Sequence, residues 1–359
     1  MAEDAMFYYN RGVAYAGHAQ FAEAIADFSK SIEMKPDFTE AYYNRGVAYA
    51  HIKDYDKAIE DFTKAIEINP KNTEAYKSRS LAYIILGRFD KVLEDSSQAI
   101  KINPKDMEAY YDRGFAYNEQ GEFDKAINDQ SMAIKLNPKF AEAYYSRGLA
   151  YAKKKEFDKA IADFTKVIEI NPKHSNAYNN RGVTYSDKGE FDKAIENFSK
   201  AIEIDQKSVE AYFNRGIAHK QKGEKEKAIA DFTKVTELEP NNAIAYFYKG
   251  QIQDNVEKSI ADYTKAIELN PKYIDAYTAR SIIYAAQDQY DLIIADLGKM
   301  IDADPANPDY YAQRASLYYT KKGDIAQANV DLNKALDLNP KNKDARKVLQ
   351  EIQKRLDNK

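Results

Sequence analysis

A proline recurs every 34 residues along most of this 359-residue chain, and other residues recur with it. The series, with glutamine in one slot, is Pro36, Pro70, Pro104, Pro138, Pro172, Gln206, Pro240, Pro271, Pro305 and Pro340. A repeat of this length restricts the chain to architectures in which one small unit is copied and stacked. Such a chain presents an extended surface and is not built around one active-site pocket.

The second unit, residues 39–72, indicates how each copy folds. Small and apolar residues recur at spacings of three and four in residues 41–49 and again in residues 55–66, which predicts two α-helices. Asp54 can accept hydrogen bonds from the free amides at the start of the second helix. Pro70 ends that helix, because proline has no N–H to donate and restricts the residue before it. Each unit is therefore predicted to be two antiparallel helices that need neighbours to bury their apolar faces.

Two further positions recur when each unit is numbered 1–34 with its proline at position 32. Position 4 is tyrosine in all ten units: Tyr8, Tyr42, Tyr76, Tyr110, Tyr144, Tyr178, Tyr212, Tyr246, Tyr277 and Tyr311. Position 8 is glycine in seven units: Gly12, Gly46, Gly114, Gly148, Gly182, Gly216 and Gly250. The pattern, over roughly residues 5–340, resembles the tetratricopeptide repeat. The resemblance implies an all-α fold, a right-handed α-solenoid or superhelix of helix-turn-helix repeats.

The unit boundaries follow from the prolines. Ten repeats are predicted at 5–38, 39–72, 73–106, 107–140, 141–174, 175–208, 209–242, 243–273, 274–307 and 308–342. The eighth is three residues short after Gly250, which predicts a shortened first helix. Residues 343–359 are predicted to form a capping helix whose apolar face is Val348, Leu349, Ile352 and Leu356. The first repeat has no such cap, so we expect a partner, a homo-oligomer contact or a longer parent chain to cover its edge.

Composition and charge argue against several classes of protein. The formal net charge of −4 is unlike that of a nucleic-acid surface, which needs clustered lysine and arginine. No run of 18 apolar residues is present, so no membrane insertion is expected. There is no cysteine, and the four histidines lie in different repeats without metal-ligand spacing. We therefore predict a cytoplasmic, non-enzymatic protein with no catalytic residues, no metal and no cofactor.

A charged pair recurs at positions 7 and 23. Position 7 is arginine in nine repeats, including Arg11, Arg45, Arg79, Arg113 and Arg147. Position 23 is aspartate in nine repeats, including Asp27, Asp61, Asp95, Asp129 and Asp163. Because guanidinium suits a carboxylate bidentately, we predict a row of structural ion pairs between the two helices. The alternative is a row of arginines that binds acidic ligands.

The resemblance implies that positions 2, 5, 6, 9, 12 and 13 of the first helices line the concave groove. Aromatic residues and asparagine dominate positions 5 and 6, position 9 is mostly apolar and position 2 is mostly acidic. The residues predicted to bind a peptide in this groove are Tyr9, Asn10, Tyr43, Asn44, Tyr111, Tyr145, Asn179, Asn180, Phe213 and Asn214. Such a groove favours a partner segment of neutral or basic character. The alternative is that the aromatic residues only pack between neighbouring helices.

The function predicted from these features is a protein-protein interaction scaffold that binds an extended or helical segment of a partner protein in the concave groove. Two alternatives stay open. One is a structural protein that assembles with itself through the uncapped first repeat. The other is the substrate-recruiting arm of a larger enzyme, because the asparagines at position 6 resemble the inner ladder of the repeat arm of O-linked N-acetylglucosamine transferases.

Overall fold

The computed structural model describes residues 4–357 and contains only helices, turns and bends within that range. The chain divides into two compact units, one ending at Lys188 and one beginning at Gly189. The helices of the first unit are α1 (Ala5–Gly17), α2 (Phe21–Met34), α3 (Thr39–His51), α4 (Tyr55–Ile68), α5 (Thr73–Ile85), α6 (Phe89–Ile102), α7 (Met107–Glu119), α8 (Phe123–Leu136), α9 (Ala141–Lys153), α10 (Phe157–Ile170) and α11 (Ser175–Asp187).

The second unit continues the series of helix pairs. Its helices are α12 (Phe191–Ile204), α13 (Val209–Gln221), α14 (Lys225–Leu238), α15 (Ala243–Ile252), α16 (Val256–Leu269), α17 (Ile274–Ala286), α18 (Tyr290–Ala303), α19 (Pro308–Leu317), α20 (Ile325–Leu338) and α21 (Lys343–Asp357), with a π-helical turn at Tyr318–Lys322. Within each unit, consecutive helices pack against each other in chain order. The all-α solenoid class predicted from the repeat is thereby confirmed.

The side chains at the predicted start and end of the second helix accept hydrogen bonds from backbone amides. Asp54 accepts a hydrogen bond from the Lys57 amide at the start of α4. After α4, the Asn69 side chain accepts one from the Lys71 amide at 3.1 Å, in the turn that contains Pro70. The first bond satisfies an amide that the start of a helix leaves without a partner, and the second holds the turn that leads into the next repeat.

A glycine and a phenylalanine form the centre of five of the ten repeats. Phe28, Phe62, Phe164 and Phe232 at position 24 are at most 1% exposed. Each ring lies against the glycine at position 8 of its own repeat, where a Cβ atom would approach the ring to 2.8–2.9 Å. The glycine is therefore required so that the first helix can approach the aromatic ring on the second helix.

The fourth repeat replaces that ring with a buried amide. Gln130 is 0% exposed, and its Nε2 donates to the Tyr111 carbonyl and to the Ser146 hydroxyl, both at 3.1 Å. The Asn118 amide donates to the same hydroxyl at 2.9 Å. Within the described range, Gln130 Oε1 and Asn118 Oδ1 accept no hydrogen bond. This polar centre was not anticipated from the sequence pattern.

In the short eighth repeat the first helix is shortened, and the second helix keeps its full length. Helix α15 has 10 residues, whereas α13 has 13, which confirms the shortened first helix. The Ser259 hydroxyl donates to the Gly250 carbonyl at 2.9 Å and helps to hold the shortened end. Lys249 takes the arginine position and pairs with Asp262 at 2.9 Å.

Helix α21 lies where the capping helix is predicted, and its last two predicted residues, 358 and 359, fall outside the described range. Val348 and Ile352 are 6% and 2% exposed and join a core cluster with Leu332 of α20. Leu356 is 52% exposed, so the buried stripe of this helix is shorter than its apolar pattern suggests.

Candidate partner-binding surface

Arginines at position 7 form ion pairs with the aspartates at position 23 of the same repeat. Arg45 donates through Nε and Nη2 to the two carboxylate oxygens of Asp61, at 2.7 and 2.8 Å. The same pairing occurs at Arg11–Asp27, Arg79–Asp95, Arg113–Asp129 and Arg147–Asp163, with shortest distances of 2.6–2.8 Å. The second unit has it at Arg215–Asp231, Arg280–Asp296 and Arg314–Asp331.

Several of these arginines also donate a hydrogen bond to a hydroxyl group of the preceding repeat. Arg45 Nη1 donates to the Ser29 hydroxyl at 2.9 Å, and Arg79 Nη1 donates to the Thr63 hydroxyl at 2.7 Å. These hydroxyls lie at position 25, where serine or threonine recurs in the sequence. The Arg45 guanidinium also lies 5.6 Å from the centre of the Tyr42 ring. The contacts favour a structural role over a row of arginines that binds acidic ligands, because the donors are occupied within the array.

The first helices of the first unit form a continuous row, in which α1, α3, α5, α7, α9 and α11 contact one another in turn. Tyr9 lies on this row with its ring 5.9 Å from Phe28 and 4.8 Å from Phe38. Its hydroxyl accepts a hydrogen bond from Asn44 of the next repeat at 2.9 Å. Tyr145 and Asn180 repeat this contact at 2.6 Å. Tyrosine at position 5 and asparagine at position 6 therefore also link neighbouring repeats.

The predicted groove residues differ in how much surface they offer. Asn10 is exposed, whereas Asn179 is only 6% exposed and offers little surface. The remainder are half-buried, namely Tyr9, Tyr43, Asn44, Tyr111, Tyr145, Asn180, Phe213 and Asn214. Burial, with smaller contributions from Asp112 and Glu142, raises the pKa of Tyr111 to about 12. This phenol is therefore protonated at neutral pH and remains able to donate a hydrogen bond.

An apolar row runs along the same helices at position 9. We call it the position-9 stripe; it comprises Val13, Val47, Leu81, Phe115, Leu149 and Val183. Leu81 is 55% exposed and Val13 is 43% exposed. Beside Leu81 and Ile85 lies a cavity of about 260 Å³ between the second and third repeats. Exposed apolar groups in a row of this kind are typical of a protein-binding surface.

Acidic residues border the stripe at position 2, where Glu40, Glu74, Glu108 and Glu142 are all exposed. Lys77 takes the aromatic position of the third repeat and bonds Glu74 at 2.9 Å and Glu108 at 2.8 Å. Burial lowers the pKa of Lys77, but its hydrogen bonds to Glu108 and Glu74 outweigh this effect and raise the pKa above its ordinary value. The negative charge is therefore partly neutralised at the third and fourth repeats.

Asp112 occupies the asparagine position of the fourth repeat and should make stability depend on pH. Burial, followed by repulsion from Glu108, raises its pKa to about 7, and Ser80 and Lys77 only partly oppose the shift. Because an unfolded aspartate has a pKa of about 3.9, the folded chain binds more protons between these values. The stability that Asp112 contributes is thus fully present below about pH 4 and is lost as the pH rises through 7.

We therefore expect Asp112→Asn to remove this component. The free energy of unfolding of the wild type should fall by about 1–3 kcal/mol more than that of the variant between pH 5 and pH 8. Urea unfolding at several pH values measures the difference. Asp275→Asn, at an exposed position in α17, serves as the control and should keep the wild-type slope. Parallel slopes for wild type and Asp112→Asn would contradict the expectation.

Family models match almost the whole chain. Models described as "Tetratricopeptide repeat" match residues 6–38, 39–72, 141–174, 164–196, 209–242, 243–273, 262–295 and 308–342. A model described as "TPR repeat" matches residues 81–121, 116–155 and 185–223. A sequence comparison with curated proteins gives no match.

Solved structures of repeat proteins are similar to this chain. The C-terminal part of a TPR repeat-containing protein from Cytophaga hutchinsonii is 22% identical, with 66% of this chain and 97% of that chain covered and a TM-score of 0.55. A tetratricopeptide repeat protein from Parabacteroides merdae is 20% identical, with coverages of 69% and 98% and a TM-score of 0.54. YrrB, described as a TPR protein with an unusual peptide-binding site, is 25% identical, with coverages of 51% and 95% and a TM-score of 0.45.

Two other kinds of site are absent from residues 4–357, namely a metal centre and a membrane-spanning helix. No cluster of three or more His, Cys, Asp or Glu side chains in that range could hold a metal ion. None of the helices described combines the length and the apolar character that crossing a bilayer requires.

Proposed function

Because this chain belongs to the tetratricopeptide repeat family, we propose that it is a protein-interaction scaffold whose first helices bind a segment of a partner protein. The observation that carries the proposal is the position-9 stripe of the first unit, with Leu81 55% exposed beside a cavity. Apolar side chains of the partner would lie on this stripe. The flanking acidic row favours a segment that carries lysine or arginine over one that carries aspartate or glutamate.

The tyrosines and asparagines at positions 5 and 6 would act as the polar border of the same surface. Asn44 and Asn180 each donate to a tyrosine hydroxyl, so a partner would meet a preorganised row and not free side chains. Preorganisation lowers the entropy cost of binding an extended peptide. Removing these asparagines would loosen the contact between repeats as well as the binding surface, so they make poor test positions.

The test uses a library of displayed 12-residue peptides selected on the purified chain. Selected peptides should be enriched in apolar residues together with lysine or arginine. Leu81→Lys should weaken the binding of a selected peptide at least tenfold, or about 1.4 kcal/mol, because it removes apolar contact and places a positive charge against the lysine or arginine of the peptide. Met34→Lys is the matched control, since Met34 is 51% exposed near the end of α2 and lies outside the stripe.

Fluorescence anisotropy of a labelled selected peptide gives the affinities. Unchanged binding to Leu81→Lys would place the site elsewhere and contradict the proposal, whatever the result for Met34→Lys. The proposal assigns no catalytic role to the chain. The cytoplasmic location and the expectations about nucleic acid and self-association stay predictions.

A further inference from the structure

In some repeats, aromatic rings at positions 5, 24 and 34 pack together and fill the space beneath the first helix. In the first repeat, Tyr9 at position 5 packs on Phe28 at position 24 and Phe38 at position 34. In the eighth repeat, Phe247 lies 5.9 Å from Tyr263 and 4.9 Å from Tyr273, at the equivalent positions. The ring at position 5 thus closes the space between the two helices of its repeat and the start of the next.

The ninth repeat lacks all three rings. Thr278, Leu297 and Asn307 occupy positions 5, 24 and 34. A cavity of about 570 Å³ opens there, with walls from α17, α18, α19 and α21. Its volume falls within the usual range for ligand pockets, about 300–1,000 Å³. Thr278 and Leu297 both line the cavity, so it includes the space that the ring at position 5 fills in the first and eighth repeats.

The chemistry of the walls suits an aromatic side chain. Helix α18 gives the cavity an apolar wall of Ile293, Leu297 and Met300, which are 8%, 3% and 4% exposed. A methionine sulfur makes favourable contacts with aromatic rings. At the mouth, Ile282 is 67% exposed and offers further apolar area to an entering group.

The rim of the cavity carries unequal charge. Helix α21 contributes Asp344, Lys347 and Glu351 to it. Two carboxylates against one ammonium favour a ligand with positive charge beside its apolar group. The Thr320 hydroxyl donates to the Ser316 carbonyl at 2.6 Å and keeps an acceptor lone pair for a peptide N–H.

From these observations we propose that the cavity of the ninth and tenth repeats binds an aromatic side chain, carried on a partner segment with a neighbouring lysine or arginine. This inference rests on the proposed function and places a second anchor point in the second unit. An aromatic side chain supplies a large buried area at low entropy cost, which is typical of the residues that dominate binding energy.

The test uses short peptides as probes and saturation-transfer NMR as the measurement. The probes are the N-acetylated, C-amidated tripeptides Lys-Phe-Lys, Lys-Leu-Lys, Lys-Ala-Lys and Glu-Phe-Glu. The ring protons of Lys-Phe-Lys should receive at least five times the saturation of the alanine methyl protons of Lys-Ala-Lys. The signal of Lys-Phe-Lys should also exceed the signals of Lys-Leu-Lys and Glu-Phe-Glu. Thr278→Phe restores the ring found at Phe247, so it should remove most of this signal and raise the melting temperature.

A second variant tests the cavity if Thr278→Phe does not fold. Ile282→Lys changes a side chain that is already 67% exposed, and it should also reduce the Lys-Phe-Lys signal at least threefold. Equal signals for the Phe and Ala peptides, or for the Phe and Leu peptides, would overturn the aromatic assignment. Unchanged binding to both variants would overturn the cavity as the site. The library-selected peptides are tested separately with Leu81→Lys, so failure at the cavity leaves the proposed function distinguishable.

Discussion

Replacing Gly46 with alanine should lower the free energy of unfolding by about 1–3 kcal/mol, because the added methyl group overpacks the centre of the second repeat. Its Cβ atom would lie 2.8 Å from Phe62 Cε1 and 3.2 Å from the Ala58 carbonyl oxygen. Both neighbours are buried, and neither can move away without shifting α4. The midpoint of urea unfolding, followed by circular dichroism, measures the loss.

Gly298→Ala is the matched control, because Gly298 also lies inside a helix, α18. A Cβ atom there would meet nothing closer than Arg314 Nη1 at 3.6 Å, which is an ordinary contact. Since alanine favours the helix over glycine, this change should raise stability by about 0.5–1 kcal/mol. Equal increases in stability in the two variants would show that helix propensity, and not packing against Phe62, determines the effect.

The period in the sequence was sufficient to predict the helices and their pairing. One repeat already contains both helical patterns and the proline that separates it from the next, and ten copies reinforce each local signal. The pairing of Arg45 with Asp61 could be inferred because both positions recur. The third partner, Ser29, was missed although serine or threonine recurs at position 25. That contact crosses between repeats, so a pattern read within one repeat does not reveal it.

The candidate surface was harder to predict, again because its contacts cross between repeats. Asn44 was expected to face a ligand, but its amide donates to Tyr9, which lies 35 residues earlier in the chain. The cavity in the ninth repeat is lined by Thr278 and Leu297, which replace rings of other repeats, and also by residues of α19 and α21. Each replacement taken alone is an ordinary variation of the repeat. The open volume depends on how these residues meet in space.

Removing the carboxylate of Asp61 should have a still larger effect than the glycine change. Asp61 is 4% exposed and accepts two hydrogen bonds from Arg45, whose side chain is 19% exposed. Asp61→Ala leaves a largely buried guanidinium without its counter-ion, which should lower the free energy of unfolding by about 3 kcal/mol or more. Burial lowers the pKa of Arg45, but the bonds to Asp61 raise it by more, so the arginine is charged at any pH used for the measurement.

The double variant Arg45→Leu with Asp61→Leu should recover most of that loss, because well-packed apolar groups often replace a buried ion pair at little cost. Lys64→Ala is the surface control: the Lys64–Glu67 pair is exposed, with side chains 57% and 56% accessible, so its removal should change the urea midpoint little. If the double variant is as unstable as Asp61→Ala, the pair itself stabilises the repeat, and its strength would exceed the cost of burying the two charges. If it recovers, the recurrence of arginine and aspartate is better explained by register, since Arg45 also bonds Ser29 of the preceding repeat and so fixes how one repeat stacks on the next.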